Sequence, residues 1–275
     1  MSPTTIAALG AIAGVTIFLG LPVGRLGHTA RRPRALLSSA ATGILIFLVW
    51  DVLTHAWEPV DAALSAHEIG AAVGYGAILA VAFTTGLMGL VYLDRWIGRR
   101  AGHAVPVAAG APVALPVAVS PAVARARRLA MMIAVGIGLH NFAEGLAIGS
   151  SAASGALQLA VLLVIGFALH NATEGFGIVA PLAVEGYRPS WGYLGVLGLV
   201  GGGPTFLGTL IGQRFVSEVA SVTFLALAAG SILYVVVELL AVARRIGAKE
   251  LTTWGLVIGV LLGFATDAIV TAAGA

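Results

Sequence analysis

Two stretches of the chain repeat one chemistry-bearing pattern. LHNFAEGLAIG at 139–149 and LHNATEGFGI at 169–178 share Leu-His-Asn-x-x-Glu-Gly at an offset of 30 residues. In each copy the histidine and glutamate are four apart, which places them on one helix face: His140 with Glu144, and His170 with Glu174. Brought together, the two faces supply two imidazoles and two carboxylates. That set suits a borderline divalent cation, zinc first; iron, manganese, cobalt, nickel and cadmium are tolerated to differing degrees. Two carboxylates neutralise one divalent ion, and neutral histidines add no charge. Metal entry is expected to displace protons. Asn141 and Asn171 have two readings, as metal ligands or as links that satisfy freed backbone groups between helices. Gly145 and Gly175 read as positions of close packing. A single such histidine is more often a satisfied core residue, but a duplicated motif in neighbouring segments argues against that here.

Both copies lie inside apolar runs. The chain has 275 residues, 59% hydrophobic and 10% charged, with a mean hydropathy of +1.01. Soluble domains carry about 25% charged residues, so a soluble enzyme is excluded. A bilayer-crossing helix needs about 20 apolar residues. Segments of that kind fall at about 4–24, 36–57, 68–93, 129–151, 157–183, 190–213, 219–243 and 251–272. Their apolar runs are continuous rather than alternating, which speaks against a β-barrel. The first segment lacks a basic n-region and runs too long for a signal peptide. The expected fold is an all-α polytopic membrane protein of eight spans. A glutamate at the centre of a span costs about 2.5–3.5 kcal/mol on the insertion scale, so two of them call for a purpose. Cysteine is absent, which removes disulfides, thiolate zinc sites and thiol nucleophiles.

The basic residues orient the spans. Of 15 Lys and Arg, all but Arg214 fall in the loops after spans 1, 3, 5 and 7. The positive-inside rule makes that side cytoplasmic and both termini external. The same asymmetry accounts for the basic pI without nucleic acid. Residues 94–128 form the longest connection, rich in Ala, Val and Pro, and read as a flexible cytoplasmic loop. It divides the chain into spans 1–3 (1–93) and spans 4–8 (129–275).

At the repeated motif the chain resembles the ZIP family, the Zrt- and Irt-like zinc–iron permeases. Eight spans, external termini, a long loop after span 3, motifs in spans 4 and 5, and the span-7 segment GSILYVVVELL at 230–240 all share in the resemblance. It implies a 3+2+3 inverted-repeat bundle that moves divalent metal into the cytoplasm by alternating access. It also implies a primary site of His140, Glu144, His170 and Glu174, with Asn141 and Asn171 toward a neighbouring secondary site. No bound cofactor is expected beyond the transported ion. The chain departs from the family pattern in three places. Ala143 and Thr173 replace prolines, so any kink must arise otherwise, as through Thr173. Gly203 precedes Pro204 where many members have a Glu-Pro pair, which favours one metal over two. The long loop has His103 as its single histidine, which leaves a sensing role there unsupported.

Asp51, His55 and Glu58 share a face of span 2 and form a candidate entrance path, Asp51 and His55 foremost. Glu238 in span 7 and Asp267 in span 8 are further candidates for the route, because ionisable groups inside spans usually face a cavity or a partner. His67 and Glu68 read as a solvated helix start, and His28 and His103 as incidental loop residues. Glycine-rich faces would suit a homodimer in the bilayer. The rival readings are an intramembrane zinc hydrolase and a non-transporting metal sensor. The former would show His-Glu-x-x-His, which this chain lacks, and the latter a signalling domain.

Overall fold

The structure, a computed structural model, describes residues 2–26, 31–102, 120–153, 155, 157–214 and 217–272. His28, His103 and residues 103–119 of the long loop lie outside these. The described chain forms α1 (Pro3–Val15), α2 (Ile17–Gly20), a 3-10 turn (Leu21–Arg25), α3 (Arg31–Ser65), α4 (Ile69–Gly102), α5 (Pro121–Ala153), α6 (Leu157–Val184), α7 (Trp191–Gly212), α8 (Glu218–Ile246) and α9 (Lys249–Ala272). No strand occurs among the described residues. Among the described residues, eight helical segments are long and apolar enough to cross a membrane, with α1, α2 and the 3-10 turn together making the first.

Three boundaries differ from those expected. The first span is broken after Val15: the Thr16 hydroxyl donates to the Ala13 carbonyl at 2.6 Å, and the Thr16 N–H bonds the same oxygen at 3.3 Å. These i−3 bonds interrupt the regular ladder. The second span does not stop at Glu58 but runs through Pro59 to Ser65. Val60 and Ala63 pack there against Ala72, and this burial outweighs the bond lost at proline. The helix ends where His67 takes a left-handed conformation (φ 60°), with Glu68 N–H returning to the Ala63 carbonyl at 2.8 Å. Finally, residues 94–102 and 121–128, read as loop, continue α4 and begin α5. These stretches are rich in Arg and Ala, good helix formers that extend a helix beyond its apolar length.

Packing sorts the helices into two sets. α5 packs extensively on α7, α1 on α7, and α2 and the 3-10 turn on α6. Separately, α3 packs on α9 and α8, and α4 on α8. The seams within each set are backbone-close: a methyl added at Gly175 would lie 2.8 Å from the Gly20 Cα, and one at Gly259 would lie 2.8 Å from the Gly43 Cα. Such approach suits membrane helices, which gain little from burying apolar side chains against one another. α5 and α6 form the face of the first set toward the second, meeting α8 and α3 there. The arginine-rich side of the two motifs is filled by apolar side chains. Met132, Ile133 and Ile137 precede His140 in α5, Ile178 and Leu182 follow Glu174 in α6, and all five are fully buried in one core.

Candidate metal centre

The i,i+4 spacing of each motif does what helical geometry requires. α5 and α6 pack against each other, and their histidine–glutamate faces meet. His140 Nε2 lies 3.0 Å from Glu144 Oε1 on its own helix, and His170 Nε2 reaches the same oxygen from α6. The imidazole centroids are 6.0 Å apart. Ligand atoms of His140, Glu144 and His170 all fall within 4.8 Å of one another. Glu174 stands beside this triad rather than in it, with Oε1 3.9 Å from His140 Nε2. His140, Glu144 and Glu174 are buried, while the His170 side chain keeps 11% exposure.

Hydrogen bonding leaves this cluster short of partners. His140 Nδ1, both oxygens of Glu174 and Glu144 Oε2 have no hydrogen bond. Buried polar atoms are paired almost everywhere in proteins. A concentration of unpaired nitrogen and carboxylate donors at one point is the chemistry of a cation site, because a cation satisfies what the protein does not.

The asparagines act through their nitrogens. Asn141 Nδ2 donates to the Gly201 carbonyl of α7 at 2.9 Å, and Asn171 Nδ2 to the Ala13 carbonyl of α1 at 3.2 Å. Each ties its motif to a helix of the same packing set, and each leaves a buried Oδ1 unpaired. The glycines behave as expected: a Cβ at Gly145 would lie 2.8 Å from the Thr209 N, and one at Gly175 would lie 2.9 Å from the Leu21 N. The Thr173 hydroxyl donates to the His170 carbonyl at 2.7 Å, and α6 continues through the position where proline is usual. Gly203 looks away from these residues. A Cβ there meets nothing within 4 Å, and the residue lines an apolar groove between α1 and α7. Thr205, in the next turn, carries a buried and unpartnered hydroxyl that the sequence pattern did not single out.

The remaining candidates separate. Asp51 is 25% exposed, with His55 at 3.7 Å, and the other charges acting on it are Asp267, His170 and His140. Asp51 and His55 thus pair with each other on α3. Glu58 is exposed. Glu238 lies elsewhere, at the arginine-rich end, where the charges acting on it are Asp94, Arg245 and Arg128.

A family model described as ZIP Zinc transporter matches residues 116–271. The chain belongs to the ZIP family. This ZIP chain is 31% identical over 268 residues to the zinc transporter ZupT of Shigella dysenteriae serotype 1 (strain Sd197), covering 95% of both proteins. Identity and coverage are the same for ZupT of Escherichia coli O7:K1 (strain IAI39 / ExPEC) and of Escherichia coli (strain K12 / DH10B). Membership makes the protein a multi-pass divalent-metal transporter, and the hydrolase reading falls with it.

Proposed function

We infer that this protein carries zinc across the cytoplasmic membrane into the cytoplasm, binding it between α5 and α6. His140, Glu144 and His170 are the primary ligands. Glu174 completes the charge balance from one side, and Asn141 and Asn171 position the two motifs. The observation that carries this reading is the buried triad with ligand atoms within 4.8 Å of one another at the crossing of two spans. Two nitrogens and a carboxylate oxygen suit zinc better than the all-oxygen sites preferred by magnesium or calcium, and the relatives are named as zinc transporters. Gly203 favours a single ion.

Ions enter from outside past Asp267, His55 and Asp51, the half-exposed groups that lead to His170. Toward the cytoplasm the route is closed by Met132, Ile133, Ile137, Ile178 and Leu182. Transport then requires the set holding both motifs (α1, α2, α5, α6 and α7) to slide or rock against α3, α4, α8 and α9. Support for an inverted repeat comes from paired packing: α5 lies on α7 and α8 as α6 lies on α1/α2 and α3. The asparagine bonds follow the same exchange. The orientation rests on the arginines, with both termini external, and the glycine-rich faces suit a homodimer within the bilayer.

The test is zinc uptake into liposomes by wild type and by Glu144→Ala/Glu174→Ala. Flux that depends on the glutamates is expected. Robust flux without them overturns the site, and tight zinc binding with no flux in a proton gradient favours a sensor.

A further inference from the structure

Two consecutive arginines at the start of α5 have different partners. Arg127 stays within its own packing set: its guanidinium lies 4.7 Å from the Tyr193 ring centroid, and the Tyr193 hydroxyl donates to the Arg127 carbonyl at 2.7 Å. Arg128 crosses to the other set. Its Nε donates to Asp94 Oδ1 of α4 at 2.9 Å, and its guanidinium covers Gly98, where an added Cβ would meet Nη1 at 2.8 Å. α5 otherwise packs only lightly on α4. One charge-assisted bond therefore joins the helix that carries His140 and Glu144 to a helix against which it has little other hold.

We propose that the Arg128–Asp94 pair is a cytoplasmic latch between the two helix sets, closed in the state described here and opened once per transport cycle. The proposal rests on the alternating-access reading above. The apolar layer blocks the route, and the latch holds the helices that form that layer in place. Relative sliding of the sets has to break this bond, whereas the Arg127 contacts travel with their own set.

The chain has no cysteine, so one introduced thiol is a clean reporter. Ser231 is suitable: it is fully buried on α8 and donates to the Gly136 carbonyl of α5 at 3.0 Å, bridging the sets between the latch and His140. In Ser231→Cys protein purified in detergent, maleimide labelling should speed up by about five- to tenfold on adding Asp94→Asn or Arg128→Gln, as expected for losing one partly exposed charged hydrogen bond. The reversed pair Asp94→Arg/Arg128→Asp should return the rate to within about twofold, and Arg127→Gln should leave it unchanged. Zinc binding by each variant should stay within about twofold, since the triad is untouched; this also shows that the variants are folded. Labelling that ignores both single substitutions, or that responds equally to Arg127→Gln, overturns the latch. Wild-type uptake read on the same preparations tests the transport reading separately: no uptake, with labelling still latch-dependent, overturns that reading alone.

Discussion

The two motif glutamates are identical in the repeat but not in the structure, and their substitution should separate them. Glu144 Oε1 is shared by His140 Nε2, 3.0 Å away, and by His170 Nε2, whereas the Glu174 contact is 3.9 Å and reaches His140 alone. Glu144→Gln removes a primary ligand and the common charge partner of two imidazoles. Breaking a buried pair by deleting one partner costs about 3–5 kcal/mol, or roughly two to three and a half decades in the zinc dissociation constant at about 1.4 kcal/mol per decade. Glu174→Gln removes a group that supports the triad from one side, and losses of that kind are typically about 10–100-fold. Taking the middle of each range, the gap between the variants should be about twentyfold. The assay is competition for zinc against a fluorescent chelator in detergent micelles at fixed pH, with thermal unfolding of the metal-free proteins measured alongside. If Glu174→Gln weakens binding as much as Glu144→Gln, the three-ligand centre is wrong and a symmetric four-ligand site replaces it.

Packing gives a second contrast. Gly175→Ala forces a methyl to 2.8 Å from the Gly20 Cα and should destabilise by about 1–3 kcal/mol in denaturant titrations, while Gly203→Ala, with open space, should stay within about 0.5 kcal/mol. Asn171→Leu loses the bond to the Ala13 carbonyl; unfolding should register about 0.5–1.5 kcal/mol, with zinc affinity falling less than about tenfold if the residue links helices rather than binding metal. Asp51→Asn should raise the KM for zinc uptake by about two- to fivefold with kcat unchanged, and the difference should shrink at high salt as exposed charges are screened.

The site was legible in the sequence to the extent that helical periodicity determines it. Spacing of four put each histidine with its glutamate, and the antiparallel order of adjacent spans brought the pairs together. The motif glycines were readable for the same reason, since their helix face meets a neighbouring backbone. What periodicity cannot carry is which acceptor a side chain finds across an interface. The Nδ2 atoms of Asn141 and Asn171 found the Gly201 and Ala13 carbonyls because of where α7 and α1 pack, and their Oδ1 atoms stay unpaired. Glu238 looked like Glu144, an acid inside a span, yet its neighbours are the charges of the arginine-rich end. Asp94 did carry a signal, as an acid set among arginines at the end of its span, but its partner 34 residues away did not. The second span runs past its apolar segment of 36–57 because the packing of Val60 and Ala63 lies outside local propensity.

The break after Val15 makes the first span two links rather than one strut. The first link is fastened to α7, and its last carbonyls include the one held by Asn171. The second is clasped to α6 at Gly20 and ends where Arg25 donates to the Pro189 carbonyl. The second motif is therefore held to the first span at two points, Asn171 by α1 and Gly175 by α2. Removing residues before Ile17 would take away the acceptor that one metal motif grips and leave the motif's glycine contact at Gly20 in place.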